Sequence, residues 1–226
     1  YLFVFALFTF AKLKFDKNEK DFFKLLSLIN SDGIILDIGA NIGVMTAHFA
    51  RKFKNSTVYS FEPIPGNFET LNRVAKFLNL KNVHPVQCAL SNYNGSINMI
   101  MPVINQAKKQ GLSHVVHNND NTEPGDIFEV PVKKLDNFTE FFNTQKRVTA
   151  IKIDVEGHEL NVFKGAINLV NKHKPIIYCE LWPNQQRAQM ISFMQTLNYI
   201  PKVVVKNQLH DFENQNTQNF FFVPAQ

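Results

Sequence analysis

Apolar and polar positions follow two rhythms along the chain, and the order of the rhythms predicts the architecture. Tyr1 to Ala11 is almost wholly apolar and Lys12 closes the run. From Asp16 to Asn30 the apolar residues Phe22, Leu25, Leu26 and Ile29 recur at three- and four-residue steps, the spacing of one helix face. Ile34 to Leu36 is a short apolar strand, followed by a glycine-bearing turn and a helix over about 44–53. A strand over Val58 to Phe61, a helix over about 66–78 and a third strand over Val83 to Leu90 come next. Strand, helix, strand, helix, strand predicts an α/β fold with a parallel sheet wrapped by right-handed crossovers.

The rhythm then breaks. Asn92 to Gly95 reads as a turn, Ser96 to Met101 as a strand, and Phe128 to Val132 as a strand able to pair with it. Between them the stretch 102–127 is polar and aperiodic; a connection of that length inside a compact domain is expected to be either functional or disordered. A short helix is read over Leu135 to Phe142. Alternation resumes with a strand over Ala150 to Asp154, a helix over Glu159 to Asn171, a strand over Ile176 to Leu181 and a helix over Gln185 to Leu197. Strands over Lys202 to Val205 and Asn219 to Val223 follow with no helix between them, which predicts an antiparallel pair at one sheet edge. No repeat or linker divides the chain, so 1–226 reads as one domain with an apolar, helical extension over 1–30.

Composition narrows the function classes. The chain has 226 residues and a formal charge of +5, and its 45% hydrophobic content excludes a disordered chain. Two cysteines, Cys88 and Cys179, exclude a disulfide framework and a four-cysteine zinc site; both sit in apolar runs and read as buried thiols of a reducing compartment. Lysines are scattered, with no basic block longer than two residues, so no nucleic-acid partner is expected. The apolar start lacks a basic n-region and a cleavage site, which argues against a signal peptide. It is shorter than the ~20 residues a spanning helix needs. The expectation is a cytoplasmic protein whose first segment is a buried element. The alternative is the end of a longer membrane anchor, with residues missing before Tyr1.

Candidate chemistry begins at Asp37-Ile-Gly-Ala-Asn-Ile-Gly43. Gly39 and Gly43 let the backbone turn tightly from strand into helix and approach a ligand. Asp37 at that turn repels phosphate but accepts hydrogen bonds from an ammonium or hydroxyl group. A ligand with adenosine at one end and a cationic amino acid at the other, S-adenosylmethionine, fits better than a dinucleotide. Glu62, ending the second strand, is placed to accept both ribose hydroxyls. Ala89 and Leu90, at the tip of the third strand, are small enough to floor an adenine ring.

The second segment is Lys152-Ile-Asp-Val-Glu-Gly-His-Glu159. Ligands of open parallel sheets bind at the carboxyl ends of the strands, where strand order reverses. With the first strand beside the fourth and the fourth beside the fifth, Asp37, Asp154 and Glu180 form a row of acids. Such a row suits a sulfonium, a substrate hydroxyl or an oxygen-ligated divalent cation. Glu156 and Glu159 are placed to cap the following helix. His158 titrates near neutrality and is the first candidate for general base, with Glu156 or Glu180 as substitutes and Asp154 as orienter. His114 and His117 lie in the long loop, and Trp182 ends the fifth strand as a candidate wall. No metal motif, Ser/His/Asp order or phosphate loop is present.

Taken together these segments resemble the FkbM-type family of S-adenosylmethionine-dependent methyltransferases. The matching pieces are Asp37 to Gly43, Phe61-Glu62-Pro63, Lys152 to Glu159, Pro175 to Glu180 and Asn219 to Pro224. The resemblance implies a Rossmann-like class I methyltransferase: a seven-stranded, mostly parallel sheet of order 3-2-1-4-5-7-6, last strand antiparallel, helices on both faces. It implies O-methylation of a sugar, glycolipid, polyketide or other small-molecule hydroxyl. By analogy Asp37, Gly39, Asn41, Gly43, Glu62 and Pro63, with Asp154 nearby, hold the cofactor. Residues 1–30 and 102–127 carry no family motif and are expected to decide the acceptor. Two other readings share the sheet: a non-catalytic cofactor- or partner-binding module, and a nicotinamide-dependent oxidoreductase, which Asp37 disfavours. Membrane association has only the apolar start behind it, and oligomeric state is not set by the sequence.

Overall fold

The computed structural model describes residues 1–104, 107–108, 112–116 and 124–225. The chain opens with helices α1 (Leu2–Lys12) and α2 (Lys20–Leu28), then enters the sheet through β1 (Ile34–Ile38), all five of whose residues are buried. There follow α3 (Val44–Lys52), β2 (Thr57–Phe61), α4 (Pro65–Phe77) and β3 (Val83–Val86). A second, hairpin-based sheet intervenes: β4 (Ala89–Leu90), β5 (Gly95–Ile104), β6 (Ala107–Lys108), β7 (His114–Val115) and β8 (Gly125–Lys133). The chain returns through β9 (Val148–Ile153), α5 (Glu159–Lys164), α6 (Ile167–His173), β10 (Ile176–Glu180), α7 (Gln185–Thr196), β11 (Tyr199–Val205), β12 (Gln208–Asp211) and β13 (Asn219–Pro224).

The main sheet runs β3-β2-β1-β9-β10-β13-β11, the expected 3-2-1-4-5-7-6, with β12 added as an eighth strand on the outer edge. β13 is antiparallel to both β10 and β11. On one face Phe22, Leu25 and Leu26 of α2 and Phe49 of α3 cover Ile35, Val58, Ala150 and Tyr178. On the other, Val162, Phe163, Leu169, Met190 and Met194 of α5 to α7 cover Leu36, Ile151, Ile177 and Phe222. β5 and β8 pair antiparallel from Gly95↔Val132 to Pro102↔Gly125, so the expected hairpin is present and longer than read. Cys88 and Cys179 are both buried free thiols.

Four expectations need correction. Val83 to Leu90 is not one strand: after Val86 the chain turns, the Cys88 N–H bonding back to the Val86 carbonyl, and Ala89-Leu90 joins β8 in the second sheet. Leu135 to Phe142 forms two 3₁₀ turns rather than an α-helix. β12 arises because Lys206 and Asn207 both adopt positive φ (48° and 65°), a two-residue hairpin turn without the Asn-Gly signal that usually announces it.

Last, the helix over Glu159 to Asn171 is broken at Gly165-Ala166. Asp136 of the first 3₁₀ turn supplies the cap: its carboxylate accepts the N–H groups of Asn168 (3.0 Å) and Leu169 (2.9 Å). A Cβ on Gly165 would lie 2.0 Å from the Ser91 carbonyl oxygen, so the break is also where the chain touches the end of the β4 segment. Gly165→Ala is therefore expected to lower unfolding free energy by roughly 1–3 kcal/mol in urea titrations. Gly66→Ala, on α4 with open space around its Cβ, serves as the control and is expected to be neutral or mildly stabilising.

Candidate active site

The carboxyl ends of β1, β2 and β9 converge on a narrow cleft with a cavity volume of about 60 Å³. Gly39, Asn41, Glu62, Pro63, Asp154 and Glu156 line it, together with Ile64, Asn67, Met99, Ser113 and Val155. Six of the expected site residues, Gly39, Asn41, Glu62, Pro63, Asp154 and Glu156, thus meet in one place. Met99 and Ser113 come from the second sheet and its connection, so the 102–127 stretch does reach the cleft. His117 lies outside the described residues; His114 packs in β7, its Nδ1 2.9 Å from the Leu112 carbonyl.

Beneath the cleft is an ion pair the sequence reading did not assign. Asp37 and Lys152 are register partners on β1 and β9. Both are buried, with the Lys152 ammonium 3.6 Å from Asp37 Oδ1, 4.0 Å from Asp154 Oδ2, and donating to the Gly39 carbonyl at 3.0 Å. Burial draws the Lys152 pKa down, but the neighbouring Asp37 and Asp154 carboxylates outweigh it and hold the ammonium above its usual range. The other Asp37 oxygen accepts the Thr46 hydroxyl at 2.6 Å. Asp37 is fully buried and does not line the cleft. The cation it meets is Lys152 of its own chain, so its place is under the turn.

The glycines are explained by packing. Gly39 has φ +73°, and a Cβ there would sit 1.9 Å from the Asp154 carbonyl oxygen. Its absence lets the β1 turn touch the β9 end. Gly43, also outside the lining, meets Leu71 of α4 instead. Ala89 packs with Ile64, Met99 and Val130, and Leu90 belongs to the main core; neither reaches the cleft. The apolar side chains that do line the cleft include Ile64, Met99 and Val155.

Glu62 is the best-held group of the cleft. Its Oε2 accepts the Asn41 N–H (2.8 Å), and its Oε1 accepts the Ile64 N–H (2.9 Å) and Asn67 Nδ2 (3.4 Å). Burial nevertheless pushes its carboxyl up to about 7, against the lowering effect of those bonds. Asn41, in the left-handed region at φ +49°, and Asn67 each keep a buried amide oxygen without a partner among the described residues. Two unsatisfied acceptors beside a cradled carboxylate form a surface that calls for hydroxyl or amino donors.

The acceptor side is acidic. Glu156 stands at φ +52°, an αL conformation of a kind that recurs at functional sites. Burial, then the Asp154 and Glu180 charges, push its carboxyl to about 7, while a hydrogen bond from Trp182 acts in the other direction. Burial and Asp154 likewise raise Glu180, at the end of β10, to about 7. Glu180 does not line the cleft but acts on it electrostatically. Glu19, at the start of α2, is raised by burial and by the neighbouring Asp16 and Asp154, so the N-terminal extension also borders this edge. Glu159 turns back to accept the Val155 and Gly157 N–H groups (3.2 and 3.1 Å), in keeping with its expected capping role.

His158 departs from expectation. It is buried, with Ser91 Oγ 2.9 Å from its Nε2 and Asn161 Nδ2 3.3 Å from its Nδ1, and it is absent from the lining. Both ring nitrogens are engaged inside the fold, which places it as a clamp between the β4 segment and α5. No group of three or more metal-ligating side chains occurs among the described residues.

The three carboxyls at about 7 make stability depend on pH. Unfolded, they titrate near 4.5; folded, Glu62, Glu156 and Glu180 keep protons up to about 7. Their contribution is fully present below 4.5 and lost as pH rises through 7. His48 and His173, lowered by burial from 6.5, act in the opposite sense at the acid end. Thermal melts between pH 5 and about 7.5 are expected to show a flatter or reversed pH slope in Glu156→Gln than in the wild-type chain. Identical slopes would remove Glu156 from the coupled group.

Comparison with known proteins agrees with this geometry. The Methyltransferase FkbM domain matches residues 37–201. Methyltransferase 1 of Beauveria bassiana is 31% identical over 145 residues, 59% of this chain and 58% of that protein, so the chain spans under two thirds of that relative. The hexuronic acid methyltransferase AglP of Haloferax volcanii is 28% identical over 208 residues, 90% of this chain and 79% of that one. A crystal structure of an FkbM methyltransferase from Methylobacillus flagellatus shares the fold at a TM-score of 0.55 and 18% identity, over 87% of this chain and 45% of its own. With most of its length, from Asp37 to Pro201, matched by the domain, the chain belongs to the FkbM methyltransferase family.

Proposed function

We propose that the chain is an S-adenosylmethionine-dependent O-methyltransferase acting on a hydroxyl of a small-molecule, sugar, glycolipid or polyketide acceptor. The observation that carries the reading is the Glu62 cradle: a buried carboxylate fixed by two backbone amides, flanked by the partnerless amide oxygens of Asn41 and Asn67. Those acceptors suit the hydroxyl and amino donors of an adenosine, and family membership supports the same cofactor. A hexuronic acid methyltransferase among the relatives supports a sugar within the acceptor class.

When bound, the cofactor supplies a methyl group on a sulfonium, which is already a good leaving group. The chain's own residues then have three tasks. Glu62, Asn41 and Asn67 fix the adenosine end. Asp154, at the rim between cofactor and acceptor sides, favours a cationic centre nearby. Glu156 takes the proton from the acceptor hydroxyl; its carboxyl near 7 matches base catalysis at neutral pH better than an ordinary glutamate does. Glu180 keeps it there through charge. Holding oxygen, methyl carbon and sulfur in line can contribute ~7–11 kcal/mol.

The deciding experiment is calorimetric titration with S-adenosylmethionine and, as control, NAD. Binding of the first alone is expected; preference for NAD or binding of neither would overturn the reading. Glu62→Ala is expected to weaken cofactor affinity by roughly 1.5–3 kcal/mol. Unchanged affinity would take Glu62 out of the site. Glu156→Gln is expected to leave that affinity nearly intact and to slow turnover roughly 10²–10⁴-fold, with loss of the rate increase near pH 7. A variant with full activity and an unchanged pH profile would exclude it as the base.

A further inference from the structure

Helix α1 buries only half of its apolar surface. Ala6 is fully buried, and Leu2, Phe3, Leu7 and Phe10 pack with Ile42, Ala47, Val74 and Leu78. The opposite face is bare: Val4 is 68% exposed, Phe5 59%, Phe8 56% and, just past the helix, Phe15 74%. Positions 4, 5 and 8 share one side of a helix, so the exposed rings form a stripe rather than scattered singles. Cations border it: Lys12 Nζ lies 4.0 Å from the Phe8 ring centre and Lys14 Nζ 4.8 Å from that of Phe15, with Arg51 against Phe10 and Arg73 against Phe3 on the flanks. Residues 1–15 contain no acid.

We infer that this stripe docks the protein on an anionic lipid surface, with α1 lying in the plane of the interface. Charge complementarity selects this occupant. Aromatic side chains backed by basic ones, stems along the rings and ammonium groups beyond, are what a layer of acyl chains under anionic headgroups accepts. A second copy suits the stripe poorly, because it would bring one acid-free basic segment against another of the same sign. The eleven residues of α1 reach about 16 Å, against a hydrocarbon core of about 30 Å. Among the described residues no helix is long and apolar enough to cross a membrane. The inference does not depend on methyl transfer.

Flotation of the full chain with vesicles of phosphatidylcholine and phosphatidylglycerol tests it, with pure phosphatidylcholine as control. Co-flotation with the anionic vesicles is expected, weakening as salt rises. Phe5→Ser/Phe8→Ser is expected to lose at least about tenfold in partition, and Lys12→Glu/Lys14→Glu to lose the preference for anionic lipid. All four residues sit outside the packed face, and matching thermal melts confirm that each variant is folded. Wild-type protein that stays at the bottom with both vesicle types would overturn the proposal. So would a folded Phe5→Ser/Phe8→Ser chain that floats as well as wild type. A concentration-dependent dimer in gel filtration that the same double substitution dissolves would assign the stripe to a second copy instead.

Discussion

A lysine ammonium buried in the middle of a parallel sheet is costly, and much of the site's geometry follows from how this one is satisfied. Lys152 is held by Asp37 on the neighbouring strand, by the Gly39 carbonyl and by Asp154 beyond its own strand end. Removing one partner of such a buried pair typically costs about 3–5 kcal/mol, because the other charge is left uncompensated. The pair therefore joins β1 to β9 at the level where both strands end. Close approach there requires Gly39, whose missing Cβ is occupied by the Asp154 carbonyl, and Thr46 locks Asp37 from the first turn of α3. Asp37, Gly39, Lys152 and Asp154 form one structural unit beneath the cleft.

That unit also divides the acids into two kinds. Asp37 is matched by Lys152. Glu156 and Glu180 have Asp154 beside them and a strong desolvation cost, so their carboxyls rise to about 7. Burial and the mutual proximity of Asp154, Glu156 and Glu180 raise the carboxyls, and Lys152 acts on Glu180 in the lowering direction. Glu62 reaches a similar value by burial alone, against three hydrogen bonds. Burial leads on both sides of the cleft, and only Glu156 and Glu180 add carboxylate repulsion to it.

Much of this was legible in the residues. Alternation indicated a mostly parallel sheet with an antiparallel edge, strand ends indicated Gly39, Glu62, Asp154 and Glu156, and the family resemblance added the strand order, Asn41 and Pro63. What escaped was whatever depends on a partner distant in sequence. Lys152 reads as an ordinary charge until its register with Asp37 is known. His158 reads as a catalytic histidine until Ser91 is found at its Nε2. The break at Gly165 needs Asp136 and Ser91, each remote in sequence. Met99 and Ser113 enter the cleft from a hairpin layer whose connection carries no periodic signal. One clue was available for Lys152: a buried Asp in an all-apolar strand requires a cation, and Lys152 interrupts the other apolar strand of the motif.

The parts of the chain outside the 37–201 match have structural work around the same cleft. Asp21 of α2 accepts a hydrogen bond from Asn219 of β13 at 3.2 Å, joining the two ends of the chain beside Glu180. Glu19 adds its charge to that edge. On the other side of the cleft, the buried face of α1 packs with Ile42, which stands between Asn41 and Gly43 in the β1 turn. The N-terminal extension thus touches the cleft region twice, at the β1 turn through α1 and at the acidic rim through α2. A surface engaged by the bare face of α1 would press on the helix that backs Ile42. Ile42 lies next to Asn41, whose backbone amide holds Glu62.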